Sequence, residues 1–403
     1  MNIYNELNSL NYDTKKVFNL IHKQGPKTKN ELSMLTDIKL TTLNRIIEPL
    51  EENRYIMQST IGESTGGRRP IVYDIHAGKG YLVGVDISRT YTEIIITNLK
   101  IEILYQYRFN MNKSHSPSKT VATILEIIDT GLKSLSADKQ KLMAIGIGTV
   151  GPLDIEKGVL INPAHFGAAG WQDVPMKELM QRSFECPVFV DNGANAAVLA
   201  EMLFGVGKGY KNLVYFHCGI GIRTGTISSE TIIRTANNAE DAFGHMVIDV
   251  DGEQCACGNY GCIECYSSIH AITQKYISEV KKGRRSTIVK DLKDIHYMDI
   301  CHAVSDGDSL AIEILTRSAM ILGTGLANFI NILNPGLVIL SGPLINKSQL
   351  FYNVCTETAE KRCYGNNGSK VIFMRGGHFN DHAIAVGSAV MGLEHCLTSK
   401  VVK

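Results

Sequence analysis

Residues 244–266 read GHMVIDVDGEQCACGNYGCIECY. Four of the chain's ten cysteines crowd into this stretch, behind a histidine. Cys255 and Cys257 flank a single residue, and Cys262 follows after two glycines that let the backbone fold tightly enough for three sulfurs to converge. With His245 they make three thiolates and one imidazole, a closed tetrahedral donor set that suits structural zinc. Two other readings stand beside this one. The cysteines are small buried hydrophobes, or they form a disulfide, which a reducing compartment disfavours. Cys265 reads as a core residue rather than a ligand. A closed metal site does no chemistry itself, so the stretch is expected to shape whatever lies next to it.

The whole chain sets the frame. It has 403 residues, 44% of them hydrophobic and 20% charged, with a formal net charge of +1. That length allows two or three domains and a large core. The near-zero charge excludes a global field for nucleic acid or membrane, so any such binding must come from a local patch. The N-terminus, MNIYNELNSLNYDTKK, is polar and lacks the apolar core of a signal peptide. No apolar run is expected to reach the length of a membrane span. The expected location is cytoplasmic, with the scattered remaining cysteines reduced and mostly buried.

Residues 12–75 have their own pattern. TKKVFNLIHKQG puts Val17, Leu20 and Ile21 at helical spacing and stops at Gly25-Pro26. Thr28 with Glu31 three residues on forms a capping-box start. A turn at Asp37 leads into KLTTLNRIIEPLEENRYI, where Leu43, Ile46, Ile47 and Leu50 point inward. Lys39, Thr41, Thr42, Asn44 and Arg45 are left for an exposed face, and these side chains donate to phosphates and base edges. Pro49 is expected to kink this helix near its end. Two β-like runs then flank a polar tip containing Gly66-Gly67-Arg68-Arg69-Pro70. The reading is a winged helix-turn-helix with Arg68 and Arg69 suited to a narrow minor groove; a solvated linker is the alternative for the arginine segment.

From Lys79 onward, strands and helices alternate: GYLVGVDI, TEIIITNL, EILYQYRF, a helix near 119–135, AIGIGTVG, CPVFVDNGAN running into a helix, NLVYFHCGIGIRTGTIS, a long helix near 308–333, and GLVILSGP. This is α/β architecture in two halves of similar grammar. Here the chain resembles the ROK family (repressor, open reading frame, kinase) within the actin-like ATPase fold. The resemblance spans essentially the whole chain. It is carried by residues 244–264, by GGRRP at 66–70, AIGIGTVGPLD at 144–154, DNGANAAVLAE at 191–201 and NPGLVILSGP at 334–343. It implies a two-lobed sugar-kinase-like body with a zinc site at His245, Cys255, Cys257 and Cys262. The expected divisions are a head with linker at 1–76, one lobe at 77–195 and a second at 196–403, with part of the C-terminal helix returning to the first lobe. Family members with a helix-turn-helix head are usually sugar-responsive repressors; those without it are usually sugar kinases.

The departures from the family pattern bear on activity. The first phosphate loop, Asp-x-Gly-Gly-Thr in the family, is Asp86-Ile87-Ser88-Arg89-Thr90 here, and the second carries Arg223 where the family has a glycine. The family's catalytic Asn-Asp pair is Asn192-Gly193, and glycine cannot accept a proton. Asn192, His245 and Glu264 match family sugar contacts, while Ala242 and Ala164 replace others. Asn192 also reads as a helix cap, and Glu264 as an acceptor for neighbouring backbone donors. His165, Arg89 and Arg223 are cations suited to a phosphorylated ligand. The expectation is a DNA-binding repressor of sugar-utilisation genes, not an enzyme, with structural zinc. A sugar or sugar phosphate is its effector, operator DNA its partner, and a homodimer its working form. A partner-regulated DNA-binding protein with a vestigial pocket and an active sugar kinase are the alternatives.

Overall fold

In a computed structural model of the chain, residues 3–61, 70–163, 165–235, 242–364 and 371–398 are described. They divide into two compact units, 1–191 with 384–403, and 192–383.

The first unit begins with helices α1 (Ile3–Asn8) and α2 (Tyr12–Gln24), strand β1 (Lys27–Thr28), helices α3 (Lys29–Thr36) and α4 (Leu40–Glu52), and strands β2 (Ile56–Ile61) and β3 (Ile71–Ile75). Asn11 caps α2, and the Thr28–Glu31 box caps α3. Asp37 turns the chain at a left-handed backbone angle, which an Asx residue tolerates. Pro49 lies within α4, which runs three residues further. Val17, Phe18 and Ile21 of α2 close on Leu43, Ile47 and Leu50 of α4 as the small core. Phe18 takes the fully buried place that the spacing gave to Leu20, which is half-buried. The strands pair in the order β1-β3-β2.

Next come β4 (Tyr81–Ile87), β5 (Tyr91–Asn98), β6 (Ile103–Asn110), α5 (Pro117–Ser134), β7 (Leu142–Thr149), a small ribbon of β8 (Leu153–Asp154) and β9 (Val159–Leu160), α6 (Met176–Gln181) and β10 (Val188–Asn192). The sheet order is β10-β7-β4-β5-β6, with β4 antiparallel to β5 and parallel to β7. One face packs on α5, where Ile124 and Ile128 meet Val85, Ile94 and Ile147. The chain's last helix, Ala383–Thr398, lies on the sheet without a side chain between them. A Cβ on Gly84 would stand 1.9 Å from the Ala385 carbonyl oxygen, and one on Gly146 would stand 1.7 Å from that of Ser388.

The second unit holds α7 (Gly193–Phe204), β11 (Leu213–Cys218), β12 (Ile222–Ser228), β13 (Thr231–Ile232), α8 (Glu264–Ser267), α9 (Ile269–Lys281), α10 (Tyr297–Ser305), α11 (Ser309–Leu333), β14 (Leu337–Ser341), α12 (Pro343–Asn346), α13 (Gln349–Arg362) and β15 (Ile372–Arg375). The final helix is α14. Its sheet runs β13-β12-β11-β14-β15. Numbering each sheet's strands by chain order gives 3-2-1-4-5 in both units, one topology used twice. Helix α11 is long and apolar enough to cross a membrane, counter to the expectation that no run is, but 61% of its apolar window is buried. It is interrupted by Glu313 and Arg317 and packs on α13 as a core helix.

Candidate metal and ligand site

The metal stretch lies wholly in the second unit. A short 3-10 turn, Ala242–His245, delivers the histidine. Bridges Val247↔Cys262 and Gln254↔Tyr260 fold the stretch back on itself. Gly261 has φ +69°, and a Cβ there would stand 1.6 Å from the Asp249 carbonyl oxygen, so only glycine lets the strands cross. As a result, ligand atoms of His245, Cys255, Cys257 and Cys262 all lie within 4.8 Å of one another. Cys255 Sγ stands 3.5 Å from His245 Nδ1, and Cys257 Sγ stands 3.8 Å from Cys262 Sγ. A tetrahedron with Zn–S of about 2.3 Å and Zn–N of about 2.0 Å has edges of roughly 3.5 Å (S–N) and 3.8 Å (S–S). The donor set fits a tetrahedral divalent ion. The 3.8 Å separation is far too long for a disulfide, and all four cysteines of the stretch are free. Cys265 stands outside the cluster.

The residues matched to sugar contacts have local partners. The half-buried Glu264 accepts the Ile222 N–H through Oε2 at 2.9 Å. Asn192, 3% exposed, caps α7 by accepting the Ala194 N–H at 2.9 Å. His245 is exposed. The backbone roles that stood beside ligand contact for Asn192 and Glu264 are therefore real in the fold. Gly193 opens α7, and Asp191 is buried at the end of β10.

Both hairpins matched to phosphate loops carry buried polar side chains. In the first unit, Asp86 is fully buried and accepts the Tyr91 hydroxyl at 2.7 Å. The Arg108 guanidinium lies 4.2 Å over the Tyr91 ring and 3.1 Å from the fully buried Glu93, which also accepts from Gln106. Burial opposes the charge on Arg108, but Glu93 and Tyr91 outweigh it and hold the guanidinium above its ordinary value. In the second unit, Arg223 is buried on β12 directly opposite His217. A Cβ on Gly225 would stand 2.1 Å from the Ala194 carbonyl oxygen, so this glycine serves the seating of α7 on β12. Arg89 and His165 belong to the first unit, and Ala164 lies outside the described residues. Trp171 is buried, stacked 4.2 Å from Phe166, and donates to the His115 carbonyl.

In the head, Lys39, Thr41, Thr42, Asn44 and Arg45 are all exposed along the start of α4. Lys29, which the sequence reading passed over, donates to Asn44 Oδ1 at 2.7 Å. Arg68 and Arg69 lie outside the described residues. The reading also missed Glu201. Its carboxylate is fully buried on α7 and accepts the N–H groups of Val206, His378 and Phe379. The available signal was one acid inside the apolar run ANAAVLAEMLFG, a pattern that calls for buried donors.

Comparison with known proteins places this geometry. A Bacillus subtilis protein named xylose repressor is 28% identical over 94% of both chains. A Halalkalibacterium halodurans glucokinase is 29% identical over 65% of this chain and 80% of its own. The crystal structure of a ROK family transcriptional regulator, a homologue of the Escherichia coli MLC protein, superposes with a TM-score of 0.79 over 96% of both chains at 23% identity. The repeated mixed sheet is the actin-like, sugar-kinase-type fold of these proteins. Residues 82–394 match the ROK family, and the chain belongs to it.

Proposed function

We propose that the chain is a DNA-binding transcriptional repressor of sugar-utilisation genes, with a kinase-like body that senses a sugar or sugar phosphate and transfers no phosphoryl group. Residues 3–75 act as a winged helix-turn-helix, with α4 as the helix that enters the major groove. Lys39, Thr41, Thr42, Asn44 and Arg45 contact DNA there, and Arg68 and Arg69 follow the minor groove from the wing. One observation carries this reading: α4 buries Leu43, Ile46, Ile47 and Leu50 and leaves Lys39, Thr41, Thr42, Asn44 and Arg45 exposed at its start, with Lys29 donating to Asn44 beside them. The xylose repressor match supports it, because an alignment over 94% of the chain includes most of the head. The DNA-binding form is a homodimer whose half-sites lie about 34 Å apart or a multiple of that.

Sugar contact falls to Asn192, His245 and Glu264. His245, Cys255, Cys257 and Cys262 hold zinc, which ties the turn carrying His245 to the segment leading into Glu264 and supplies rigidity rather than reactivity. Gly193 leaves no carboxylate at the position of the family's base, and Arg89 and Arg223 stand where the family has glycines that let the backbone approach phosphate. Three measurements test the reading. The protein should retard a DNA fragment from upstream of its own gene or neighbouring sugar genes, and D-xylose or another sugar should release it. No sugar in a panel should support ADP release above background. Elemental analysis should find one zinc per chain. Steady sugar-dependent ADP release would overturn the non-enzyme assignment.

A second reading is favoured by a specific observation. Asn192 and Glu264 each already serve a backbone N–H, which suits a vestigial pocket and regulation by a protein partner. Calorimetry showing no heat with any free or phosphorylated sugar, on protein that binds DNA, would select it.

A further inference from the structure

The chain passes between its two units twice, at Asp191–Asn192 and at Ala383–Ile384. Within each unit the two connecting segments are tied together. In the second unit the tie is Glu201. Helix α7 follows the first connection, and Glu201 near its end accepts His378 N at 3.1 Å and Phe379 N at 3.0 Å from the segment just before the second connection. In the first unit the tie is Phe189 on β10. Its ring lies 3.6 Å from where a Cβ on Gly392 of α14 would be and 4.7 Å, centroid to centroid, from the ring of His395.

The head reaches the same place. Tyr4 of α1, buried, stacks at a tilt on Phe189 with 6.1 Å between centroids, and its hydroxyl bonds His395 Nδ1 at 2.8 Å. Its carbonyl accepts the Cys396 thiol at 3.5 Å. At the residue next to His395, Lys23 of α2 pairs with Glu394 at 2.9 Å, with both side chains largely covered. Helix α14 itself cannot slide, because Gly84 and Gly146 seat its backbone directly on β4 and β7. Tyr4 therefore touches both connecting segments at once, next to helices that share a core with α4.

We propose that Tyr4, Phe189 and the Lys23–Glu394 pair are positioning residues that bind the DNA-reading head to the two connections, and that Glu201 sets those connections within the second unit. A change at the ligand site in the second unit is passed to the head through the Glu201 tie and the Tyr4 contacts. The inference rests on the repressor reading for its DNA readout and adds the route of regulation.

The full chain is compared with Glu201→Gln, Tyr4→Phe and the double variant, on a duplex that the wild-type protein selects from a random pool. Glu201→Gln is expected to change duplex affinity about fivefold or more, and by less than about twofold once Tyr4 is Phe. The same fold-change in both backgrounds, or none in either, overturns the proposal. A merely structural Tyr4 would lower the melting temperature and leave that ratio alone. If Glu201→Gln does not fold, Phe189→Leu replaces it under the same criterion. Amide exchange on DNA-free protein gives an independent reading: Glu201→Gln should speed exchange in α1 and α2, and unchanged rates there would count against the route. A wild-type chain that selects no duplex would remove the repressor reading, while the exchange comparison would still decide this one.

Discussion

The two five-stranded sheets share one strand order and differ in what stands at their first hairpin. At the β4–β5 hairpin, Asp86 accepts the Tyr91 hydroxyl and Arg108 pairs with Glu93. At the β11–β12 turn, Arg223 is buried and Gly225 gives its space to α7. The second unit also carries a four-ligand cluster, and among the described residues the first unit has no comparable group. A repeated backbone thus bears two unlike sets of side chains. Topology is fixed by the periodicity of apolar residues, while chemistry is fixed by a few residues at strand ends, so duplication of a fold carries no duplication of function.

The largest expected effect breaks the symmetry at the metal. Cys262→Ser removes a fully buried ligand and should abolish zinc binding by elemental analysis. It should also open residues 245–266 to protease, with the melting temperature falling about 2–4 °C per kcal/mol lost. Amide exchange in β4, β5 and β7 should stay at wild-type rates; loss of protection there would mean the cluster supports more than its own unit.

The next test asks whether the two sheets hold their helices alike. Gly84→Ala drives a Cβ into α14, and Gly225→Ala drives one into α7. Each should cost about 3 kcal/mol in denaturant unfolding. A cost below about 1 kcal/mol at only one of them would show that one interface yields where the other does not.

Tyr91→Phe sharpens the contrast at the hairpins. It removes one bond to buried Asp86 and should cost about 1 kcal/mol, with no gain of ADP release. A gain of nucleotide binding by calorimetry would identify Tyr91 itself as the block.

The smallest effect is one of pH. Burial, with Lys177 and Lys15 nearby, holds the His395 imidazole below its ordinary value, while burial, with Cys396 nearby, raises the Tyr4 hydroxyl to about 12. The fold therefore favours the neutral ring. That stabilisation is present above the unfolded histidine value of about 6.5 and is lost as pH falls below it toward the depressed folded value. The protection factors of α1, which are corrected for the intrinsic fall of amide exchange with pH, should drop modestly between pH 7 and pH 5, and His395→Gln should flatten the drop.

Much of this was legible in the chain itself. The Thr28–Glu31 cap, the stop at Gly25 and the turn at Asp37 depend on neighbours three or four residues away, so local chemistry sets them. The cysteine spacing brings its sulfurs together within one short stretch, where two glycines suffice. The alternation of strands and helices likewise follows from residues that choose faces by periodicity alone. What the sequence could not settle was occupancy. The Asn192 cap on Ala194 lies within its own stretch and was readable there, but Glu264 is found serving Ile222, a donor 42 residues away. Tyr91 closing on Asp86, and Glu201 gathering donors from residues 206, 378 and 379, join positions up to 178 apart. A buried polar group must find a partner or lose the energy of leaving water. Which partner it finds depends on where the folded backbone places the donors, and no spacing along the chain contains that.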